Sequence, residues 1–339
     1  MKIKEVISVL QGLAPERYAA SWDNSGLQVR GTRQDAARVA VCLDPLPERL
    51  AEALDWGADL VASHHPLFLK PAAPVAEGPY LEALRLLLPA GAWLYSAHTS
   101  LDSRPGGPAC WLGDELGLEE RRSLEPSRSF GALSVSFFLE QDLGEELADA
   151  LAEVDGVFGI GQDATGEVRI LCHDAAWPPL RAVLDEVLAA LGCGHTQYFL
   201  TQMRSPSEEV GFGEVGELPE PLPYDAFAER LAGLLGRGFW TQTGPRPETV
   251  ARVAYLPGSG ASALDAALAA RADVFITGDV KYHQALDAVG AGLHVLDVGH
   301  FSLEEEMMRR FAIELEAELP GVEVRFFPGR DPFAVRMNG

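Results

Sequence analysis

The chain has 339 residues, 47% of them hydrophobic, which is enough for about two or three domains with a sizeable core. Its 27 Lys and Arg against 50 Asp and Glu give a formal charge of −23, dispersed along the sequence, which argues against nonspecific binding to a nucleic-acid backbone. No apolar run reaches the ~20 residues that span a bilayer, and the N-terminus lacks a signal-peptide core and cleavage site, so the expectation is a soluble cytoplasmic protein with no membrane association.

Helical periodicity covers Ile3 to Leu13, followed by a polar loop, Ser21-Trp22-Asp23-Asn24-Ser25-Gly26. Strands are then expected at Val39 to Leu43, Asp59 to Ser63 and Trp93 to Ala97, separated by helices at Pro47 to Trp56 and Tyr80 to Leu88. Such alternation implies parallel strands with crossover helices. The same order returns from about residue 211: strand Ala251 to Leu256, helix Ser262 to Ala270, strand Asp273 to Thr277, a helix from Tyr282, strand His294 to Val298 and a long helix Ser302 to Leu319. Val322 to Phe327 adds a candidate edge strand.

The middle of the chain has another pattern. Strands at Phe130 to Leu139, Val157 to Ile160, Val168 to Cys172 and Gln197 to Gln202, with helices at Leu143 to Val154 and Pro178 to Leu191, spell a βαββαβ order. Pro126 and Pro206 mark its edges. The expected fold class is therefore α/β, with two similar three-layer α/β halves of mostly parallel strands and an inserted ferredoxin-like α+β module. Residues 1–126 and 207–339 form the discontinuous α/β domain, and residues 127–206 the insert. The Gly211-to-Gly216 stretch is GxGxxG but follows no strand-to-helix turn, so it reads as a chain reversal and not as a dinucleotide loop. Cys42, Cys110, Cys172 and Cys193 are far apart and form no CxxC pair, which excludes a zinc ribbon and a disulfide framework.

Of eight histidines, His173, His195 and His294 read as structural. His64, His65, His98, His283 and His300 each follow a buried strand of the α/β unit, where open parallel sheets bind ligands. Ser63-His64-His65-Pro66 sends two imidazoles out of a strand that Pro66 ends. His98 to Asp102 adds an imidazole and a carboxylate that two cations could share. His300 and Glu304, at i and i+4, share one helix face after the sharp turn at Gly299, with Ser302 as the expected N-cap. His64, His65, Asp102, His300 and Glu304 make a mixed nitrogen and oxygen set, suited to Zn²⁺, Mn²⁺ or Fe²⁺ above Ca²⁺ or Mg²⁺. No thiolate belongs to it, against a structural zinc site.

Together these motifs resemble the Nif-three-like dinuclear-metal family, whose members are often named GTP cyclohydrolase I type 2 homologues. The resemblance rests on Ser21 to Leu27, Ser63 to Leu67, Ala97 to Asp102, Gly211 to Leu218, Thr277-Gly278-Asp279-Val280-Lys281-Tyr282-His283, and Gly299 through Glu304. It covers both outer segments, and the insert matches the longer bacterial form in position. Two differences stand out: Ser100 replaces the usual Asn, and Gly329 to Phe333 departs from the usual Thr-Asn-Pro-Phe. The resemblance implies two divalent ions per chain on His64, His65, Asp102, His300 and Glu304, a toroidal homohexamer, and a purine nucleotide, GTP, opened with release of formate.

Two functional readings follow. In the first, paired cations support hydrolysis, His98 and His283 shuttle protons, and Lys281 contacts a phosphate at a helix start. In the second, a non-catalytic protein stores, delivers or senses metal.

Overall fold

Uninterrupted apolar runs become strands covered on both faces, and the chain between them supplies the covering helices. In this computed structural model all residues are described except 71–72, 141, 143, 145–147, 149–150, 152–153, 155, 194–195 and 337–339. The chain runs through α1 (Ile3–Leu13), β1 (Gly26–Val29), β2 (Arg38–Cys42), α2 (Pro47–Trp56), β3 (Leu60–Ser63), α3 (Pro79–Ala90), β4 (Trp93–Ser96), α4 (Thr99–Asp102) and α5 (Trp111–Leu116). It continues through β5 (Glu119–Phe138), β6 (Val157–Gln162), β7 (Glu167–His173), α6 (Trp177–Ala190) and β8 (Phe199–Pro223). It closes with α7 (Tyr224–Leu234), β9 (Thr241–Thr243), β10 (Thr249–Tyr255), α8 (Leu264–Ala269), β11 (Val274–Thr277), α9 (Tyr282–Ala291), β12 (His294–Asp297), α10 (His300–Glu318) and β13 (Glu323–Phe326). Two compact units result, Met1–Ser127 with Val210–Gly339, and Arg128–Glu209.

The first unit holds two sets of strands. One is ordered β1-β4-β3-β2-β13, parallel except for β1, which runs antiparallel to β4. The other is ordered β8-β10-β11-β12-β9, with three parallel strands between antiparallel β8 and β9. Val39, Tyr95, Tyr255 and Ile276 on their facing sides share one core with α1, α7 and α10. On the outer sides, α2 and α3 cover the first sheet and α8 and α9 the second. α10 carries this packing through Leu303, Met307, Met308, Phe311 and Leu315, an apolar stripe at helical spacing.

The same polar clasp closes both sets. Asp59, just before β3, accepts backbone N–H bonds from Ala37 and Arg38. Asp273, just before β11, accepts them from Ala251 and Arg252. Arg38 and Arg252 then donate to the carbonyls of Trp56 and Ala270. Burial of Asp59 opposes its ionised form, yet the two amides and the Arg33 guanidinium hold its carboxyl below the usual range. Its contribution is therefore present above the ordinary carboxylate pKa and is lost as pH falls through the lowered value. Replacing Asp59 or Asp273 by Ala is expected to cost ~1–3 kcal/mol each, because two amides lose their acceptor. Denaturant unfolding measures it; a variant within experimental error of wild type would show the clasp to be incidental.

In the second unit the strands follow the order β6-β7-β5-β8, with β7 antiparallel to both β6 and β5. Leu180, Leu184 and Leu188 of α6 pack with Val135, Phe137, Val168 and Ile170. The helix expected from Leu143 to Val154 falls mostly outside the described residues, and His195 lies outside them.

Three expectations are corrected. Gly211 to Gly216 is no chain reversal, because it lies within strand β8. Its glycines serve close packing: a Cβ on Gly211 would overlap Ser123 and Glu125, and one on Gly213, at φ +61°, would overlap the Tyr255 carbonyl. α10 starts at His300, so Ser302 is not its N-cap; Gly299 is, and the Ser302 hydroxyl donates to the Val298 carbonyl from inside the first turn. β5 and β8 also extend well beyond the expected Phe130 to Leu139 and Gln197 to Gln202. Their added lengths carry Arg and Glu and so lack an apolar pattern. Among the described residues no helix is long and apolar enough to cross a membrane.

Candidate metal centre

His64 and His65 leave the end of β3 with their backbone fixed. Both amides donate to the Leu43 carbonyl, and the His64 amide also reaches that of Cys42. The two rings are then oriented by different partners. His64 Nδ1 lies 2.8 Å from the Ala97 carbonyl, and His65 Nδ1 lies 2.7 Å from Asp44 Oδ1. His300 repeats the arrangement, with Nδ1 2.8 Å from Asp279 Oδ2, and so does His98, with Nδ1 2.6 Å from Asp23 Oδ1. Every one of these partners is an acceptor, so Nδ1 carries a proton and Nε2 is turned inward. That is how orienting groups set a metal-binding imidazole.

Glu304 occupies the centre. One turn into α10 and almost fully buried, it places Oε1 3.6 Å from His64 Nε2 and Oε2 3.2 Å from His65 Nε2 and 2.8 Å from His300 Nε2. The two exposed-side imidazoles meet at 3.3 Å between His65 Nε2 and His300 Nε2. Asp102, at the end of α4, closes the inner side with Oδ1 3.6 Å from His64 Nε2. Gly258 makes room: at φ +73°, a Cβ there would overlap Glu304 Oε1.

The charges respond to this crowding. Burial lowers the His65 pKa, but Asp44 and Glu304 outweigh it and raise the value to about 10. His300 is likewise carried to about 9 by Glu304 and Asp279 against burial. His64 is raised by Asp102 and Glu304, again against burial. Burial pushes the Asp102 carboxyl up, while the neighbouring imidazoles hold Glu304 well below its usual range despite burial. For Asp23, His98, Ser25 and Thr99 overcome burial and lower the pKa strongly.

His64 Nε2, Asp102 Oδ1 and Glu304 Oε2 are buried without a hydrogen bond of acceptable geometry. Buried polar atoms are ordinarily satisfied. Three converging exceptions, one nitrogen and two oxygens, have the donor set of a divalent transition metal. His65, His300 and Glu304 form one group that could hold a metal ion, and His64, His65 and His98 another.

The structure thus brings His64, His65, Asp102, His300 and Glu304 together and sets His98 beside them, its ring centroid 5.1 Å from that of His64. It does not bring in His283 or Lys281. Both are exposed; His283 contacts the Tyr282 ring, and Lys281 stands before α9 with its amide on Gln284. The sequence reading gave no role to Asp23, Asp44 and Asp279. Asp23 and Asp279 lie in motifs it singled out, and Asp44 follows a strand end, the address already used for the histidines. A cavity of about 590 Å³ opens on the His65 and His300 side, and one of about 470 Å³ on the His98 and Asp102 side.

A family model described as Duf34/NIF3 (NGG1p interacting factor 3) matches residues 1–332. The chain belongs to the DUF34/NIF3 family. A Staphylococcus epidermidis relative named GTP cyclohydrolase 1 type 2 homolog is 26% identical, over 94% of this chain and 96% of its own. A Bacillus subtilis relative of the same name is 25% identical, over 90% and 89%. The crystal structure of a Bacillus cereus protein related to NIF3 superposes with a TM-score of 0.81 at 25% identity, covering 99% of each chain. A Staphylococcus aureus crystal structure gives 0.72 at 25% identity, again over 99% of each. The DUF34/NIF3 match runs through both compact units, so the histidine and carboxylate cluster and the middle unit lie within one family chain.

Proposed function

We propose that this chain is a dinuclear-metal-dependent hydrolase. The observation that carries the reading is the set of inward-facing buried atoms on His64, Asp102 and Glu304 that lack hydrogen bonds. His64 and Asp102 would hold one ion and His65 and His300 the other, with Glu304, the carboxylate that reaches all three imidazoles, shared between them. Zn²⁺, Mn²⁺ or Fe²⁺ suits the donors. Bound there, the ions supply Lewis acidity toward a substrate oxygen and toward water. His98, braced by Asp23 at the edge of the second cavity, is placed to hold or pass a proton at Nε2. His283 and Lys281 stand apart from this arrangement and take no part in the reading.

The relatives' names support a purine nucleotide such as GTP as substrate, and release of formate is added on family resemblance. The fold is read as two similar three-layer halves, supported by the repeated Asp59 and Asp273 clasps. The β6-β7-β5-β8 order and α6 support a ferredoxin-like insert in residues 127–206. A cytoplasmic homohexamer completes the proposal, on family resemblance.

Protein loaded in turn with Zn²⁺ and Mn²⁺ is expected to retain about two ions per chain and to release formate from GTP. Elemental analysis showing at most one tightly held ion removes the dinuclear centre. Two ions without turnover on nucleotides and phosphoesters would leave a protein that stores, delivers or senses metal.

A further inference from the structure

Building on that metal-centre reading, we infer that the cavity beside His65 and His300 is a stacking pocket for a planar, uncharged heteroaromatic ring. The wall is made by Arg237, Phe239 and Phe333. The Arg237 guanidinium carbon lies 4.1 Å from the Phe239 ring centroid and 6.0 Å from that of Phe333. One carboxylate fixes both partners: Asp331 Oδ2 is 2.8 Å from Arg237 Nε, and its Oδ1 accepts the Phe333 amide at 2.8 Å. The guanidinium also rests on Gly299, where a Cβ would overlap it. Its plane is therefore held while its charge is mostly covered, the side chain being 11% exposed. Phe333, by contrast, is 65% exposed, a large ring kept at the cavity with a face to offer.

Arg237, His65 and His300 line the cavity with four carboxylates, those of Asp44, Asp279, Asp297 and Asp331. Each is already committed. Asp44 and Asp279 orient His65 and His300, Asp297 accepts the Val280 and Gly299 amides, and Asp331 holds Arg237. A neutral ring gains by stacking on Phe333, the exposed aromatic face of the cavity. The inner end of the pocket is formed by His65 and His300, so a ring stacked there presents its edge to the proposed metals.

The probe is guanosine, titrated into wild-type protein, Phe333→Ala and Arg237→Lys, in metal-free and metal-loaded forms, with metal content read alongside. Both substitutions are expected to weaken guanosine by about tenfold or more at unchanged metal content, the lysine keeping charge but losing the plane. Absence of guanosine binding to wild type, or full affinity in either Phe333→Ala or Arg237→Lys, overturns the pocket. The metal-free arm separates the two readings, because ring binding there stands or falls whatever the metal count proves to be.

Discussion

Glu304→Gln is expected to fold and to bind divalent metal about a hundredfold to several thousandfold more weakly than wild type. The side chain keeps its shape and loses one charge at the point where three imidazole Nε2 atoms converge within 3.6 Å. Removing one partner of a buried charged set costs ~3–5 kcal/mol, or two to three and a half decades in affinity. The metal-free fold escapes most of this, since His64, His65 and His300 can release protons and become neutral once the carboxylate is gone. Asp102→Asn is the matched control. Asp102 approaches only His64 among the proposed histidine ligands, so its loss should weaken one ion and leave the other near wild type. Competition titration with a chromophoric chelator, beside thermal unfolding, reads both effects. Wild-type affinity for both ions in Glu304→Gln would remove Glu304 from the centre. An Asp102→Asn variant that loses both ions equally would move the shared role to Asp102.

The ease with which Glu304 could be found in the sequence has a physical basis. A helix converts i, i+4 spacing directly into proximity, so His300 and Glu304 are visible as a pair before any fold is known. The parallel strands are legible for a similar reason: Val39 to Leu43, Leu60 to Ala62 and Val274 to Ile276 are apolar throughout because helices cover them. β1 and β9 were not read, being short and partly polar edge strands, four and three residues long. α7 was missed although Tyr224, Phe227 and Leu231 follow helical spacing, because prolines and glycines surround it. The carboxylates that orient the imidazoles are harder still. Asp23 meets His98 across 75 residues, and Asp44 meets His65 across 21. No local period links such pairs. The same holds for Arg237 and Asp331, which only the folded chain brings to one cavity.

Metal binding should depend steeply on pH, and the metal-free and metal-loaded proteins should respond in opposite ways on the alkaline side. In the metal-free chain His65 and His300 have pKa values raised from 6.5 to about 10 and about 9. Groups raised on folding contribute stability that is complete below the unfolded value of 6.5 and is lost as pH climbs through 9 to 10. Glu304, lowered on folding, contributes stability present above its ordinary value of 4.5 and lost as pH falls through the lowered one. The metal-free protein should therefore be most stable from about pH 4.5 to 6.5, above the ordinary Glu304 value and below the unfolded histidine value. An incoming ion needs the Nε2 lone pairs and must displace the protons that His65 and His300 hold there. Below pH 9 each displaced proton weakens apparent affinity by about tenfold per pH unit, so two give up to about a hundredfold. The bound ion then replaces the protons as the countercharge to Glu304, and the metal-loaded protein should keep its stability to pH 10. Calorimetric titration near pH 7.5, in two buffers of different ionisation enthalpy, counts the protons released, and about two per chain are expected. Thermal unfolding of both forms between pH 6 and 10 supplies the second readout. Release of no protons, together with parallel unfolding profiles for the two forms, would mean that the ions bind somewhere other than His65, His300 and Glu304.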